Sequence, residues 1–404
     1  MPVQLGIIAM TTTTSGPSQA GAQTDGIETN GVETDGIGTE AAPASPAASP
    51  VIGQAAPAAA PAAHVAPQAD HADKAKTIVT YIAQLRAWLF LAALIVIFEA
   101  WARIAFGGTF VGSPFNWQSI AVFAVAPLLL AVGQTFVIIS GGIDLSTGFI
   151  MGLAAVIAAH VTNLSGLYLP LPLSMLIGIA AAVLSATIPG LINGLLISRL
   201  RIPPFIGTLG MFGVARGTAF LLAGGTTVPV RNDYFAILGN GRFYGVPYLV
   251  IVSAVFVLVM HYLLSQTRFG QHNYAIGANA QAARRAGIDI KGHILRLYML
   301  SAMCAGLGGA LYAARFTAGA AQAGEPLLLD SVAAVVIGGA SLFGGSGSIL
   351  GTIAGSLVIA VIQYGLVFVD VEPFWQFIAV GIVIIISVLI DQAQRRFSGA
   401  KQDE

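Results

Sequence analysis

The sequence predicts an all-α polytopic membrane protein. Hydrophobic residues make up 56% of its 404 positions and charged residues only 9%, and the mean hydropathy is +0.82. A soluble globular chain has a lower apolar fraction and more charge. From Leu85 onward, apolar runs of about 20 residues recur, the length that a helix needs to cross a hydrocarbon core about 30 Å thick. The chain is therefore expected to lie in a lipid bilayer, with no nucleic acid among its partners.

Residues 1–75 differ from the rest of the chain. They are rich in Ala, Pro, Thr and Gly, and a near-repeat runs from Asp25 to Thr39 as DGIET, NGVET and DGIGT. Such a segment has too few large apolar groups to offset the entropy of ordering. It is predicted to be a disordered cytoplasmic tail, followed by a membrane domain over 85–395 and a short cytoplasmic tail over 396–404.

About ten membrane spans are predicted. The eighth is short and rich in glycine, so it is expected to be broken or partly re-entrant. The ten segments are 85–106, 117–139, 145–165, 170–197, 205–224, 246–264, 294–314, 330–345, 348–369 and 373–391.

The distribution of basic residues predicts that both termini are cytoplasmic. With an even number of spans, thirteen of the 18 Lys and Arg residues fall in inner segments. Basic residues are retained on the cytoplasmic side of a membrane. The largest outer loop is then Gly224–Gly245.

A helix interruption lies within Gly133–Gly152, GQTFVIISGGIDLSTGFIMG. Ser140, Gly141 and Gly142 break an apolar run, and Asp144 precedes the next one. A carboxylate is costly in lipid, so Asp144 is expected to face water, protein or a partner. Asp144 and Ser146 either cap the following helix or take part in gating or coupling.

A second interrupted segment, Ala333–Thr352, repeats the pattern of apolar residues followed by paired glycines. Paired broken segments in the two halves of a chain are typical of transporters with internal repeats, because unwound backbone can line a pathway. The alternative is that the 48 glycines mainly allow close helix packing.

Few polar side chains lie within the predicted spans. Gln134 and Asn193 either bond hydroxyls of a neutral solute or join neighbouring helices. Glu99 and Arg103 are spaced as a local pair on one helix face. The scarcity of ionisable groups disfavours an ion-coupled mechanism.

No motif for catalysis is present in the sequence. The glycine-rich run Gly344–Gly347 lacks the lysine followed by serine or threonine that a P-loop requires, and no cluster of metal ligands occurs. The chain is therefore predicted not to be an enzyme, and it is assigned no catalytic, cofactor-binding or metal-binding residue.

The stretch Gln266–Arg296 is a polar island between two apolar runs. Ala278–Ala286 is predicted to be a short helix, with Gly277 and Gly287 at turns at its two ends. The helix is basic at one end and otherwise made of small residues. It either sits in a groove of another protein or belongs to a solvated loop whose charge sets the orientation.

Three motifs together resemble one known family. They are GGIDLS at Gly141–Ser146, YAIGANAQAARRAGI at Tyr274–Ile288, and the segment Ala333–Thr352. Over about residues 85–395, the chain resembles the permease subunits of ribose/xylose/arabinose-type bacterial ABC sugar importers.

This resemblance implies a fold similar to that of the vitamin B12 importers, in the bacterial inner membrane. It also implies a second permease subunit in a homo- or heterodimer, two ATPase subunits that hold the ATP and Mg²⁺, and a periplasmic solute-binding protein that delivers a sugar.

The family's G-x-N-x-x-A-A-x-x-x-G-I pattern lies in the loop 265–293 and resembles a coupling helix that docks on the ATPase. Arg284 and Arg285 would pair with acidic groups of that partner. The resemblance assigns coupling to Tyr274, Gly277, Asn279, Ala282, Ala283, Arg284, Arg285, Gly287 and Ile288.

The candidates for the translocation path or its gate are Gln134, Gly141, Gly142, Asp144, Ser146, Asn193 and Asp330. The chain departs from the family's usual residues at Leu328, Leu329 and Ser331, where only Asp330 matches, and at Thr147 and Ala340. These departures affect the identity of the substrate more than the mechanism.

The predicted function is that of a permease subunit in an ATP-driven importer of a monosaccharide. One alternative is a permease of the same superfamily for a branched-chain amino acid, a nucleoside or a furanosyl signal. Another is a stand-alone secondary carrier.

Overall fold

The computed structural model describes residues 69–372 and 374–399, and the side chains of residues 85–372 and 374–389. Residues 1–68 of the predicted tail lie outside the described residues, as do residues 400–404 of the predicted C-terminal tail. The first helix begins at Ala69, and the last ends at Gly399.

The described residues form thirteen helices and four strands of two residues each. The helices are α1 (Ala69–Phe106), α2 (Pro114–Ile139), α3 (Thr147–Ser165), α4 (Leu171–Ser198), α5 (Pro204–Ala223), α6 (Asp233–Asn240), α7 (Tyr248–Gln266), α8 (Arg268–Ala278), α9 (Ala280–Arg285), α10 (Ile290–Phe316), α11 (Glu325–Ile337), α12 (Ile349–Phe368) and α13 (Phe374–Gly399). The strands are β1 (Val228–Pro229), β2 (Arg242–Phe243), β3 (Val246–Pro247) and β4 (Ala318–Gly319).

Eight helices of the described chain are long and apolar enough to cross a membrane: α1 from Leu85, α2, α3, α4, α5, α7, α10 and α12. The prediction of an all-α polytopic membrane protein is therefore confirmed. Two of the ten predicted spans are not among these eight. The apolar part of α13 is Phe374–Leu389, and α11 has 13 residues, or about 20 Å at the usual rise.

The expected break in the eighth segment is present. Helix α11 ends at Ile337, and Gly339 follows with φ +91°, a left-handed conformation that glycine adopts without strain. An irregular connection then leads to Ser348, whose hydroxyl accepts a hydrogen bond from the N–H of Gly351 and caps α12. The chain thus turns inside the predicted segment instead of continuing through it.

The centre of the bundle consists of α2, α3, α10 and α12, which are buried for most of their length, whereas 28% or less of the apolar part of α1, α4, α5 and α7 is buried. Small residues bring α4 and α10 together. A Cβ at Gly190 would lie 2.6 Å from the Ala302 Cβ, and one at Gly306 would lie 2.8 Å from the Ala186 Cβ. At these positions the glycines allow close packing, as the alternative interpretation proposed.

The connection after α5 and the connection after α10 lie at one end of the bundle. Strands β1 and β4 pair antiparallel, with Val228 opposite Gly319. The Arg315 guanidinium donates a hydrogen bond of 2.7 Å to Asn240 at the end of α6. This β1–β4 end is separated from the α9 end by the length of α10, about 40 Å.

The predicted local pair on α1 is confirmed. The Arg103 side chain lies 2.6 Å from the Glu99 carboxylate. Glu99 also accepts hydrogen bonds of 2.8 Å from the N–H groups of Phe110 and Val111, so it fastens the connection to α2.

Candidate functional site

Asp144 is the centre of a buried polar cluster in the connection between α2 and α3. Its side chain is fully buried. Its Oδ1 accepts hydrogen bonds from the Ser146 N–H at 3.0 Å and the Ser146 hydroxyl at 2.5 Å. Its Oδ2 accepts one from the Ser301 hydroxyl of α10 at 3.1 Å. The carboxylate therefore contacts protein, which is one of the three environments expected for it.

Two amides from other helices complete this cluster. The Asn193 Nδ2 of α4 donates a hydrogen bond of 2.8 Å to the Ser146 hydroxyl. The Gln134 Nε2 of α2 donates to the carbonyl oxygen of Asp144 and, at 3.1 Å, to the hydroxyl of Thr147. Four predicted path residues thus meet at one place, which we call the Asp144 cluster: Gln134, Asp144, Ser146 and Asn193, joined by Ser301.

The contacts of the Asp144 cluster support a role in joining helices. Both amides are buried, and their N–H groups donate hydrogen bonds to other parts of the chain. The Gln134 Oε1 and the Asn193 Oδ1 have no hydrogen-bond partner among the described residues. A buried oxygen without a donor costs free energy. These two oxygens are therefore the acceptors of the cluster that could still bind a donor.

The capping interpretation of this segment is only partly correct. Ser146 occupies the position before α3, but its side chain accepts no hydrogen bond from the N–H groups of that helix. Its oxygen accepts instead from the Asn193 Nδ2, and its hydroxyl donates to Asp144. Burial raises the pKa of the Asp144 carboxyl above its ordinary value, and the hydrogen bonds from Ser146 and Ser301 oppose this rise.

Glycine is favoured at Gly141 and at Gly142 for different structural reasons. Gly141 has φ +83°, which allows the chain to turn at the end of α2. A Cβ at Gly142 would lie 2.7 Å from the hydroxyl of Tyr298, which itself donates a hydrogen bond to the Ile143 carbonyl. Gly142 therefore makes room for α10.

Asp330 is not part of the Asp144 cluster. It lies on α11, nearly buried, and its Oδ2 accepts a hydrogen bond of 2.7 Å from the Gln363 Nε2 of α12. It lines a cavity of about 820 Å³. Among the described residues, no group of three His, Cys, Asp or Glu side chains is placed to hold a metal ion.

The predicted coupling segment contains two helices. The predicted helix Ala278–Ala286 is present as α9, Ala280–Arg285, and Gly287 forms the expected turn with φ +84°. The Asn279 side chain caps α9 by accepting hydrogen bonds of 3.0 Å from the N–H groups of Gln281 and Ala282. Ala278 belongs instead to the preceding helix, α8.

The predicted role of Gly277 as a turn is wrong. Gly277 lies inside α8, and its Cα faces the end of α2. A Cβ at this position would clash with the Ile139 carbonyl oxygen and would lie 2.6 Å from the Gly345 nitrogen. Glycine is required here by close approach to the chain's own backbone.

Helix α8 is fastened to the membrane helices by its side chains. The buried Asn273 donates a hydrogen bond of 2.9 Å to the Phe136 carbonyl of α2. The Tyr274 hydroxyl donates one of 2.8 Å to the Gly347 carbonyl. Tyr274 therefore serves to dock α8 within the chain.

The remaining predicted coupling residues differ in solvent exposure. Ala283 is buried against Ile276 and Ile290, and Ile288 is half-buried beside them. The residues with exposed side chains or backbone are Ala282, Arg284, Arg285 and Gly287. Asn279, which caps α9, is exposed as well.

The structure brings the three sequence motifs together. The Gly345 N–H donates a hydrogen bond of 2.8 Å to the Ile139 carbonyl, at the end of α2. A Cβ at Gly344 would lie 3.0 Å from the Gly141 nitrogen and 3.1 Å from the Gly277 oxygen. Both interrupted segments and α8 thus meet at one point, which we call the glycine junction.

Comparison with known proteins identifies the family. Residues 116–388 match the model of the family described as "Branched-chain amino acid transport system / permease component". The chain belongs to this family of permease components. The matched region runs from the start of α2 into α13 and includes the Asp144 cluster, the glycine junction and α9.

Several curated relatives match most of the chain. The fructose import permease of Rhizobium meliloti is 34% identical over 76% of this chain and 86% of its own length. The galactose/methyl galactoside import permease of Haemophilus influenzae is 34% identical over 68% and 86%. The ribose import permease of Escherichia coli K12 is 32% identical over 77% and 96%.

Proposed function

We propose that this chain is the membrane-spanning subunit of an ATP-driven importer of a monosaccharide. The observation that carries the proposal is the similarity, at 32–34% identity over most of each sequence, to three permeases named for the import of fructose, galactose and ribose. ATP and Mg²⁺ are held by two separate ATPase subunits, and this chain contributes no catalytic residue.

Helix α9 supports the coupling part of the proposal. It exposes two adjacent arginines on a helix whose other residues are three alanines and Gln281. Such a surface suits a groove with acidic groups, because guanidinium and carboxylate groups form strong paired hydrogen bonds. Helix α8 connects this surface to the glycine junction, so a displacement of α9 acts on the ends of α2 and of the α11–α12 connection.

The remaining features of the proposed importer rest on the resemblance to sugar permeases. The chain acts in a dimer with a second permease subunit in the bacterial inner membrane, with a ten-helix fold similar to that of the vitamin B12 importers. Its internal repeat, its cytoplasmic termini and the delivery of sugar by a periplasmic binding protein belong to the same proposal. The contact of the two interrupted segments at the glycine junction favours paired roles for them.

A second candidate substrate class is the branched-chain amino acids, which the family description names. The names of the individual relatives favour sugars. A stand-alone secondary carrier is disfavoured by the scarcity of ionisable groups in the spans.

Reconstitution tests this proposal. The chain is purified with its co-purifying subunits and inserted into liposomes. Uptake of radiolabelled ribose, galactose, fructose and leucine is then measured with the solute-binding protein present outside the liposomes. We expect uptake of one sugar only when ATP is supplied to the ATPase side. Uptake of leucine alone would favour the second candidate, and ion-driven uptake by this chain alone would contradict an ATP-driven importer.

A further inference from the structure

We propose that the cavity beside Asp330 is a solute site of the permease itself, in which a monosaccharide is held through its hydroxyl groups during passage. This inference rests on the proposed function and names the part of the chain that touches the sugar.

The cavity has the size and the composition of a small-molecule site. Its volume of about 820 Å³ is partly open and is lined by residues of α2, α7, α10, α11, α12 and α13. Pockets for small ligands usually have about 300–1,000 Å³, with mostly apolar walls and a few placed polar groups. Here aromatic rings such as those of Phe123, Tyr312 and Phe377 face the cavity. The polar side chains are those of Arg315, Gln322, Glu325, Asp330, Gln363 and Gln376.

Asp330 and Gln363 form the polar centre of this cavity. Asp330 is 6% exposed, and its Oδ2 accepts the Gln363 hydrogen bond at 2.7 Å. No described cation forms an ion pair with it, and its Oδ1 has no hydrogen-bond donor among the described residues. A nearly buried carboxylate needs donors, and sugar hydroxyl groups supply them.

Gln363 adds to this chemistry because its orientation is fixed. Its Nε2 is directed to Asp330, so the amide oxygen is left as a second acceptor next to the carboxylate. Two adjacent acceptors match two neighbouring hydroxyl groups of a sugar. The aromatic and aliphatic walls match the C–H faces of its ring.

The position of the cavity agrees with passage from one side of the bundle to the other. Arg315 lies at the end of α10, Gln322 in the connection that contains β4, and Glu325 at the start of α11. The cavity is therefore at the β1–β4 end, whereas the glycine junction and α9 are at the other end. A solute delivered at the β1–β4 end would meet this cavity first.

A lipid chain would fit this cavity less well. It would cover the aromatic residues but would leave the Asp330 carboxylate facing hydrocarbon. A carboxylate in that environment is costly.

The first test measures uptake by the full reconstituted complex with wild type, Asp330→Asn, Gln363→Leu and the control Asp370→Asn. Asp370 is exposed between α12 and α13 and has φ +56°, which asparagine tolerates. We expect the maximal rate to fall about tenfold or more in the two cavity variants, as for the loss of a hydrogen bond to a charged group. The control should keep the wild-type rate, and all four should retain their ATPase subunits. An Asp330→Asn rate equal to that of the control would overturn the proposal.

The second test is a direct measure of occupancy. Cys304 is the only cysteine of the chain and is buried, so a Gln322→Cys variant carries one reactive thiol at the cavity. We expect the transported sugar to slow its labelling several-fold, and a sugar that is not transported to leave the rate unchanged. The protection should disappear in Gln322→Cys with Asp330→Asn.

The outcomes separate the two proposals. If the wild-type complex transports a sugar but the sugar gives no protection, the cavity proposal alone fails. Labelling that is blocked in membranes regardless of sugar and restored in detergent would assign the cavity to lipid or a second copy. If the wild-type complex transports no sugar, the proposed function fails and the solute site fails with it.

Discussion

The Gly345 N–H donates a hydrogen bond of 2.8 Å to the carbonyl oxygen of Ile139, and so joins the two glycine-interrupted segments of the chain. Gly277 of α8 lies against both partners. The short helix α9, which exposes Arg284 and Arg285, is therefore continuous with the point where both segments meet. This arrangement gives the exposed arginines a mechanical connection to the membrane helices.

The close approach of Gly277 predicts that a single methyl group is strongly destabilising. In Gly277→Ala the new Cβ would clash with the Ile139 carbonyl, and backbone must shift. We expect a loss of about 2 kcal/mol or more, as for overpacking of a core, and a lower melting temperature in detergent. The matched control is Gly210→Ala on α5, where a Cβ meets no atom within 4 Å. Equal melting temperatures for the two variants would contradict the close approach.

The Asp144 cluster predicts a difference between two substitutions at its centre. Asp144→Asn keeps an acceptor for Ser146 and a polar partner for Ser301, whereas Asp144→Leu leaves their donors unpaired. We expect Asp144→Leu to lose about 3 kcal/mol and Asp144→Asn much less, as judged by melting temperature. If Asp144→Leu is as stable as wild type, the cluster does not stabilise the helices.

Asp144→Asn also separates structure from transport. A correctly inserted and stable Asp144→Asn variant that transports normally would indicate a purely structural carboxylate. Loss of transport in that same variant would indicate gating or coupling. Rates of uptake and amounts in the membrane are measured on the same preparation.

The raised pKa of Asp144 predicts a pH dependence of stability. The folded state favours the protonated acid, so its stabilising contribution is complete below the ordinary aspartate pKa and is lost as pH rises through the raised folded pKa. We expect the melting temperature of wild type to fall relative to that of Asp144→Asn as the pH rises above the ordinary aspartate pKa of about 4. Parallel melting curves across this range would show that Asp144 does not carry the dependence.

Asn279 should be needed to hold α9 in its helical form. Asn279→Ala removes the acceptor for the N–H groups of Gln281 and Ala282, which costs about 1 kcal/mol at a helix start. We expect faster amide hydrogen exchange in α9 and weaker coupling of ATP hydrolysis to transport. Asn279→Asp is the control, because aspartate caps a helix as well as asparagine does. Equal exchange in Asn279→Ala and wild type would contradict the capping role.

Much of the fold could be predicted from the sequence, because a helix in lipid must be long, apolar and internally hydrogen-bonded. The same reasoning identified Gln134, Asp144 and Asn193, since polar groups in apolar spans need partners. That they meet depends on how α2, α4 and α10 pack, which local sequence does not specify. Ser301 was missed for this reason: a serine in an apolar run does not indicate which group it contacts.

The coupling segment shows where sequence patterns are ambiguous. A glycine before Asn279 suggests a turn, but Gly277 lies within a helix and is required by the approach of Ile139. Helix α8 was not predicted because its composition is polar, although Asn273 and Tyr274 dock it on the membrane helices. Hydrogen bonds to backbone can hold a polar segment against the membrane helices. Such a segment can then have the same composition as one that is exposed to solvent.

The most direct test of the account is the purification of wild type and of Arg284→Glu with Arg285→Glu from native membranes, followed by mass spectrometry of the co-purifying chains. Both arginines are exposed on α9, so the charge reversal should leave the fold intact. The control is Arg242→Glu, which is exposed at the β1–β4 end. We expect an ATPase subunit to accompany wild type and the control and to be lost from the double variant. An ATPase retained by a stable, correctly inserted double variant, or absent from gently solubilised wild type, would contradict it.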